Sequence, residues 1–231
     1  MSTLKPTRKI SRRHELREDK VITLYARALD IIERNRKIVL YGAAAIVILV
    51  VAIVGMTWLR SDQDKTAVER MASAVRAWEA GDYRTALDGT ETFLGLGDII
   101  DNYGSTPSGN LAAFYAAEAH FNLGEFDQAL ELYRDFDKQS NHLGAAALAG
   151  EGAILESRGE FADAADLYRR AASILESEVT SPSYLMMAGR AFEAAGRKDD
   201  AARVYRQVKE DYPESQEARD IDFFLARAGD A

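Results

Sequence analysis

An uncharged apolar run at residues 38–59 constrains the fold of this 231-residue chain more than any other feature. The run reads IVLYGAAAIVILVVAIVGMTWL and contains no Asp, Glu, Lys, Arg or His. A helix over these 22 residues rises about 33 Å, which matches a hydrocarbon core roughly 30 Å thick. Tyr41 and Trp58 lie near the two ends, where aromatic rings favour the membrane interface. The sequence therefore predicts one membrane-spanning helix.

Two other interpretations of this run fit less well. A core helix of a globular domain is rarely this long and uninterrupted, and a cleaved signal peptide has a shorter apolar stretch followed by small residues. The run instead ends in Thr57, Trp58 and Leu59, and Arg60 follows directly. We interpret it as an uncleaved span.

Charge is distributed unevenly on the two sides of this span. Residues 1–37 contain 11 Lys and Arg against 5 Asp and Glu, a net charge of +6. Residues 60–231 contain 18 basic and 32 acidic residues, a net charge of -14. Because basic segments stay on the cytoplasmic side of a membrane, we expect a cytoplasmic amino terminus and an acidic domain on the opposite side.

The basic segment itself has a helical pattern over residues 16–37, with Val21, Tyr25, Ala28 and Ile32 on one face. Two interpretations remain open. The segment is an amphipathic helix on anionic membrane lipids or against a partner, or it only extends the membrane anchor. DNA binding is less well supported, since no recognition motif accompanies the basic charge.

A motif that recurs four times follows the span. The copies read GDYRTAL, GEFDQAL, GEFADAA and GRKDDAA, and their glycines are Gly81, Gly124, Gly159 and Gly196. The spacings of 43, 35 and 37 residues are close to the period of about 34 residues of tetratricopeptide repeats. In copies two to four, a tyrosine follows four residues after the motif alanine, at Tyr133, Tyr168 and Tyr205. This part of the chain resembles a tetratricopeptide-repeat domain.

The resemblance implies helical hairpins in which each glycine ends a first helix and each alanine lets the second helix approach closely. Pro213 stands where the fourth unit stops, and residues 216–228 supply a final helix to cover it. The predicted fold is all-α: a single transmembrane helix followed by an α-solenoid of about four tetratricopeptide repeats with a capping helix. The predicted domains are a basic tail with an amphipathic helix (1–37), the span (38–59), a linker (60–66) and the repeat domain (67–231).

The first repeat departs from the others by an insertion of about six residues in its second helix, judged from the repeat period. The stretch LDGTETFLGLG contains three glycines, which predicts a broken helix with a protruding loop around Phe93 and Leu94. This loop is either a contact site for a partner or for another copy, or a tolerated insertion.

Catalytic and metal-binding motifs are not found in the sequence. The three histidines, His14, His120 and His142, lie in separate segments, and the chain has no cysteine to serve as nucleophile or ligand. The glycine-rich stretches lack the Lys-Ser/Thr of a phosphate-binding loop. We therefore expect a protein that is not an enzyme, has no cofactor, and does not bind nucleic acid through its acidic domain.

Stacked hairpins create a concave face lined by their first helices, and this face is the predicted binding groove. Aromatic and methionine side chains there suit extended apolar segments, although Trp78 and Phe121 fit the hairpin core equally well. A carboxylate clamp is less consistent with the pattern, because Arg190 alone matches it. The candidate groove residues are Met71, Trp78, Phe114, Glu118, Phe121, Met186 and Arg190.

The whole layout, from about residue 20 to residue 228, is similar to the membrane-anchored repeat proteins of the ancillary Sec-translocon subunit family. The marks are TLYARALDIIERNRK before the single span and IIDNYGSTPSGNLAAFYAAEAHFNLGEFDQAL after it. The resemblance implies a bacterial inner-membrane protein with a cytoplasmic amino terminus and a periplasmic repeat domain. It also implies work beside translocon subunits and a periplasmic chaperone on exported client chains.

Three functional hypotheses follow. The first is an adaptor that binds exported chains or periplasmic chaperones near the Sec translocon. The second is a structural scaffold for cell-envelope assembly or division that acts by self-association as a homo-oligomer. The third is a regulatory role of the basic tail toward a cytoplasmic signalling protein.

Overall fold

The structure, a computed structural model, describes residues 34–229. The basic tail and most of the amphipathic helix predicted for residues 1–37 lie outside the described residues. The described residues divide into two units, the first ending at Leu59 and the second beginning at Arg60.

The described residues form ten α-helices, two short strands and one 3-10 helix at Glu217–Asp220. In chain order they are α1 Arg36–Glu79, α2 Tyr83–Asp88, β1 Gly89–Thr90, β2 Phe93–Leu94, α3 Leu96–Tyr103, α4 Pro107–Asn122, α5 Phe126–Asp135, α6 His142–Ser157, α7 Phe161–Ile174, α8 Ser181–Ala194, α9 Lys198–Asp211 and α10 Ile221–Ala228.

The first unit contains the predicted span, residues 38–59, within α1. Its side chains are exposed throughout, including the large aliphatic residues and both aromatic rings. By length and composition, α1 is the one helix in the described part of the chain that could cross a membrane. The run of Ile, Val, Leu and Ala without proline accounts for the unbroken helix.

Residues 60–66, predicted as a linker, are instead part of α1. No glycine or proline interrupts the sequence from Arg60 to Glu79, so nothing ends the helix there. Asp64 also has a fixed role in the second unit, because its Oδ1 accepts the backbone N–H of Ser108 at 2.8 Å. That N–H lies in the first turn of α4, where backbone donors have no partner within their own helix.

Replacing Asp64 by Ala is expected to lower the free energy of unfolding by about 1 kcal/mol, because the first turn of α4 loses its acceptor. The hydrogen bonds from Ser108 lower the pKa of Asp64 below its usual value. The contribution is therefore present at neutral pH and is lost as the pH falls through this lowered pKa. Asp62→Ala is the control for urea unfolding at pH 7. Equal effects of the two substitutions on the free energy of unfolding would contradict the role of Asp64 as the acceptor for the first turn of α4.

The second unit consists of four helix pairs that stack in chain order. The pairs are the last part of α1 with α2 and α3, which share one core cluster, then α4 with α5, α6 with α7, and α8 with α9. Each motif glycine has a left-handed backbone, with φ of +79°, +76°, +81° and +75° at Gly81, Gly124, Gly159 and Gly196. The residue after each glycine donates its N–H to the carbonyl five residues earlier, at 2.8–2.9 Å. The predicted solenoid is confirmed.

Three buried tyrosines form the centre of the second, third and fourth pairs. Each hydroxyl donates to a glutamate on the first helix of its own pair: Tyr133 to Glu118 at 2.5 Å, Tyr168 to Glu156 at 2.8 Å, and Tyr205 to Glu193 at 2.9 Å. Burial, together with the adjacent carboxylate, raises the pKa of all three tyrosines.

The rings of all three tyrosines lie directly against glycine backbone, and a Cβ at Gly150 would come within 2.5 Å of the Tyr133 ring. A Cβ at Gly152 would come within 2.9 Å of the Tyr168 ring, and one at Gly189 within 2.2 Å of the Tyr205 ring. Glycine at these positions therefore makes room for the aromatic side chain, which fills the centre of the pair.

The insertion in the first pair is a small hairpin between α2 and α3. β1 and β2 pair antiparallel, with Gly89 opposite Leu94 and Thr90 opposite Phe93. The second helix of the first repeat is broken, as predicted. The prediction that Phe93 and Leu94 protrude was wrong. Phe93 and Leu94 are half-buried against the core of the first pair, because exposing them would leave that core uncovered.

The last helix, α10, covers the fourth pair with Ile221, Leu225 and Ala228, which are buried. The guanidinium of Arg227 pairs with Glu193, with Nε donating to Oε1 at 2.8 Å. Burial alone would raise the pKa of Glu193, but its hydrogen bonds from Arg227 and Tyr205 lower it overall. The predicted capping helix is confirmed.

Candidate functional site

The seven candidate groove residues do not share one environment. Met71, Phe114 and Met186 are only 6%, 7% and 6% exposed. Each belongs to a hydrophobic core cluster between neighbouring helices. Their side chains are therefore unavailable to a ligand, because they fill the interior of the helix pairs.

The remaining four are accessible to different degrees. Trp78, Glu118 and Phe121 are half-buried, and Arg190 is exposed. The Phe121 ring lies edge-on to Phe126, with ring centres 5.5 Å apart, so this residue packs within its own hairpin as the alternative interpretation proposed.

The structure exposes the immediate neighbours of two buried candidates. Tyr115 is half-buried, whereas its neighbour Phe114 is buried. Met187 is likewise half-buried, whereas Met186 is buried. Successive residues on a helix point about 100° apart. A prediction of the groove-facing side of a helix that is wrong by one residue therefore exchanges buried for exposed positions. The small buried residues Ala112, Ala116 and Ala119 on the same helix mark the inward side.

Half-exposed or exposed side chains lie on the first helices of the first, second and fourth pairs. Tyr115 lies edge-on to Trp78, with ring centres 5.0 Å apart, and Glu118 follows Tyr115 by one turn. Burial, and to a lesser degree the charge of Glu118, raises the pKa of Tyr184 on α8. We call this surface the aromatic strip; it consists of Trp78, Tyr115, Glu118, Tyr184, Met187 and Arg190.

The indole of Trp78 is the most unusual group on this strip. Within residues 34–229, its Nε1 is a buried side-chain nitrogen without a hydrogen-bond acceptor. A buried N–H without a partner costs about 1–3 kcal/mol relative to a paired one. The ring is held on two sides by Tyr115 and by Tyr83, whose ring centre lies 6.4 Å away.

The predicted contact loop forms one wall of a cleft beside α1. Thr92, Phe93 and Leu94 face Glu69, Arg70 and Ser73 of α1 across a volume of about 300 Å³. The guanidinium of Arg70 lies 5.9 Å from the centre of the Tyr103 ring, which holds that side chain along the surface.

The histidine of α4 takes part in an ion-pair network that joins the first two helix pairs. Nδ1 of His120 lies 2.6 Å from Glu125 Oε2, and Arg84 of α2 pairs with the same carboxylate. The hydrogen bonds from His120 and Arg84 lower the pKa of Glu125. Among residues 34–229 no group of three or more His, Cys, Asp or Glu is arranged to hold a metal ion.

Comparison with known proteins supports the repeat interpretation. The tetratricopeptide-repeat family matches residues 71–142 and, separately, residues 183–215. No curated protein matches the chain.

Two similar solved structures contain nearly identical TPR-like repeats of a chain assigned as kinesin light chain, from Podosopora anserina, and one of them carries a single substitution. Both are 18% identical, with TM-scores of 0.53 and 0.52. The alignments cover 71% of this chain and 85% and 86% of those chains. At this identity the likeness establishes the fold alone.

Tetratricopeptide-repeat proteins are in general non-catalytic scaffolds for protein–protein interaction. The two family matches overlap the first, second and fourth helix pairs, and the third pair has the same glycine turn and the same buried tyrosine. The chain is therefore an α-solenoid that contains tetratricopeptide repeats.

Proposed function

We propose that this protein is a membrane-anchored, non-enzymatic adaptor that binds segments of other proteins on its aromatic strip. The observation that carries the proposal is the group of half-exposed aromatic rings in which Tyr115 and Tyr83 lie edge-on to Trp78. Apolar side chains of a ligand would cover the exposed parts of these rings.

The ligand proposed for this strip is an extended or partly unfolded chain. Such a chain presents apolar side chains and unpaired backbone carbonyls together, which a folded surface does not. Arg190 adds a positive charge at one end of the strip, and Glu118 adds a negative charge at its centre. Weak contacts suffice, because membrane anchoring raises the local concentration of the strip.

The proposed location is the bacterial inner membrane, with the amino terminus in the cytoplasm and the repeat domain in the periplasm. The charge of +6 before the span and -14 after it supports this orientation. The resemblance to the ancillary Sec-translocon subunit family supports a place beside the translocon, with exported chains or a periplasmic chaperone as partners. Protease added to spheroplasts should then digest the repeat domain, whereas protection until lysis would contradict the orientation.

A photo-crosslinking side chain at Tyr115 tests the aromatic strip in living cells. We expect crosslinks to exported chains, a chaperone or translocon subunits, because Tyr115 lies beside Trp78 at the centre of the strip. The matched control is the same side chain at Gln128, an exposed position on α5. Equal products from both positions, or none from Tyr115, would contradict the adaptor proposal.

A second candidate function is a structural scaffold for cell-envelope assembly or division that self-associates through the first-pair hairpin. The cleft of about 300 Å³ beside Phe93 and Leu94 favours it, because an apolar side chain of another copy would fit there. The mass of the full chain in detergent distinguishes the two functions. An oligomer that Phe93→Ser dissociates supports the scaffold, and a monomer excludes it.

A further inference from the structure

We propose that a groove between α7 and α9 binds an acidic peptide segment of a partner protein. This arginine groove has a volume of about 410 Å³ and is built mainly from the second helices of the third and fourth pairs. It is separate from the aromatic strip, which lies on first helices, so it adds a second binding surface. Its lining includes Arg169, Arg170, Ser173, Arg203, Gln207 and Tyr212.

The floor of the arginine groove is apolar and belongs to the core. Ala172, Val204 and Leu185 line it and are 5%, 5% and 2% exposed. A side chain that enters the groove would therefore contact aliphatic carbon below and guanidinium groups at the rim. This combination suits a peptide in which an apolar residue stands between acidic ones.

The rim arginines keep donors available for such a ligand. Arg170 is exposed and has no side-chain hydrogen bond or ion pair within the described part of the chain. Arg169 lies 3.9 Å from Asp166, the outer limit of an ion pair. Because each guanidinium carries five N–H donors, a carboxylate can still bind in a two-pronged geometry.

Arg203 also retains donors, although it already has a partner. It pairs with Asp200 at 2.9 Å, but the same carboxylate accepts from Arg197 at 2.6 Å. One carboxylate is thus shared by two guanidinium groups, which leaves positive charge at the rim. The lining itself contains three arginines and a single acid, Glu176.

The charge of the groove contrasts with that of the rest of the domain. Residues 60–231 carry a net charge of -14, so most of this surface repels an acidic segment. An acidic ligand is therefore directed to the groove, where positive charge and apolar carbon coincide. A membrane surface is a poorer fit, because lipid headgroups in a plane cannot reach a floor recessed between two helices.

Fluorescence anisotropy with a labelled acidic peptide tests this proposal on the full chain in a neutral detergent. The probe is fluorescein-Glu-Asp-Leu-Glu-Phe-Glu-Asp, and its control is the uncharged counterpart Gln-Asn-Leu-Gln-Phe-Gln-Asn. We expect Arg170→Glu to weaken binding of the acidic probe by about tenfold or more, since it replaces a charge-assisted hydrogen bond by a repulsion. Raising the salt from about 0.05 to about 0.5 M should weaken it further.

The matched control variant is Arg219→Glu, which changes the same charge at an exposed site on the 3-10 helix outside the groove. Circular dichroism checks that both variants remain folded. Equal binding of the two probes, no binding of the acidic probe, or equal effects of the two variants would overturn the proposal. So would a loss of binding to phosphatidylglycerol vesicles in Arg170→Glu with peptide binding intact.

Discussion

Replacing Tyr168 by Ala should lower the free energy of unfolding by about 3–5 kcal/mol, because a fully buried aromatic ring is removed from the centre of the third pair. The cavity left by the ring would be bounded by Gly152, whose backbone lies against the ring. Glycine has no side chain that could fill this cavity. For a chain of this size the melting temperature should fall by roughly 10 °C or more. Circular dichroism during thermal unfolding of the full chain in detergent measures this fall in melting temperature.

Tyr168→Phe separates the ring from its hydroxyl. This variant keeps the ring in place and removes only the hydrogen bond of 2.8 Å to Glu156. The expected loss is about 1 kcal/mol, since Glu156 is half-buried and water can replace the hydroxyl. Similar losses for Ala and Phe would show that the hydrogen bond, rather than the packing of the ring, stabilises the pair.

Replacing Gly95 by Ala should lower the free energy of unfolding by about 2–3 kcal/mol, because the new methyl group overpacks the first-pair hairpin. Its Cβ would lie 2.1 Å from the carbonyl oxygen of Leu87 and 2.5 Å from the backbone nitrogen of Gly89. Both are backbone atoms, so no side chain can rotate away and the hairpin must open. Urea unfolding at constant pH measures the change.

Gly97→Ala is the matched control, two residues further along the chain. The nearest atom to its Cβ would be the same Leu87 oxygen, but at 3.6 Å, which is an ordinary contact. Gly97 lies in α3, where alanine is the better helix former, so this variant should stabilise by about 0.5 kcal/mol. If Gly95→Ala and Gly97→Ala changed the free energy of unfolding in the same direction, the close backbone approach at Gly95 would be contradicted.

The sequence predicted the parts of the fold that depend on one residue type at one position. Only glycine readily takes the left-handed turn at Gly124 or Gly159, and the recurring tyrosine needs a large central space. These requirements are local and recur with the period of the repeat, so spacing alone located the turns and the central rings.

Features that depend on contacts between distant segments were not predicted. Asp64 acts as a cap for α4 although 44 positions separate it from Ser108. Burial of Phe93 and Leu94 likewise depends on the core of the first pair, which a local pattern does not reveal. The predicted groove residue Phe114 is buried, and its neighbour Tyr115 is half-exposed instead. A helix rotated by one residue fits the same spacing of apolar residues, so the sequence did not distinguish the two.

The tyrosine–glutamate hydrogen bonds have a consequence for local opening of the solenoid. Each bond joins the two helices of one pair, as between Tyr205 and Glu193, and none of the three crosses to a neighbouring pair. Repeat arrays open in cooperative segments, and a segment boundary falls where coupling is weakest. Fraying of one pair from the carboxyl-terminal end would therefore leave the tyrosine of the next pair hydrogen-bonded to its own glutamate.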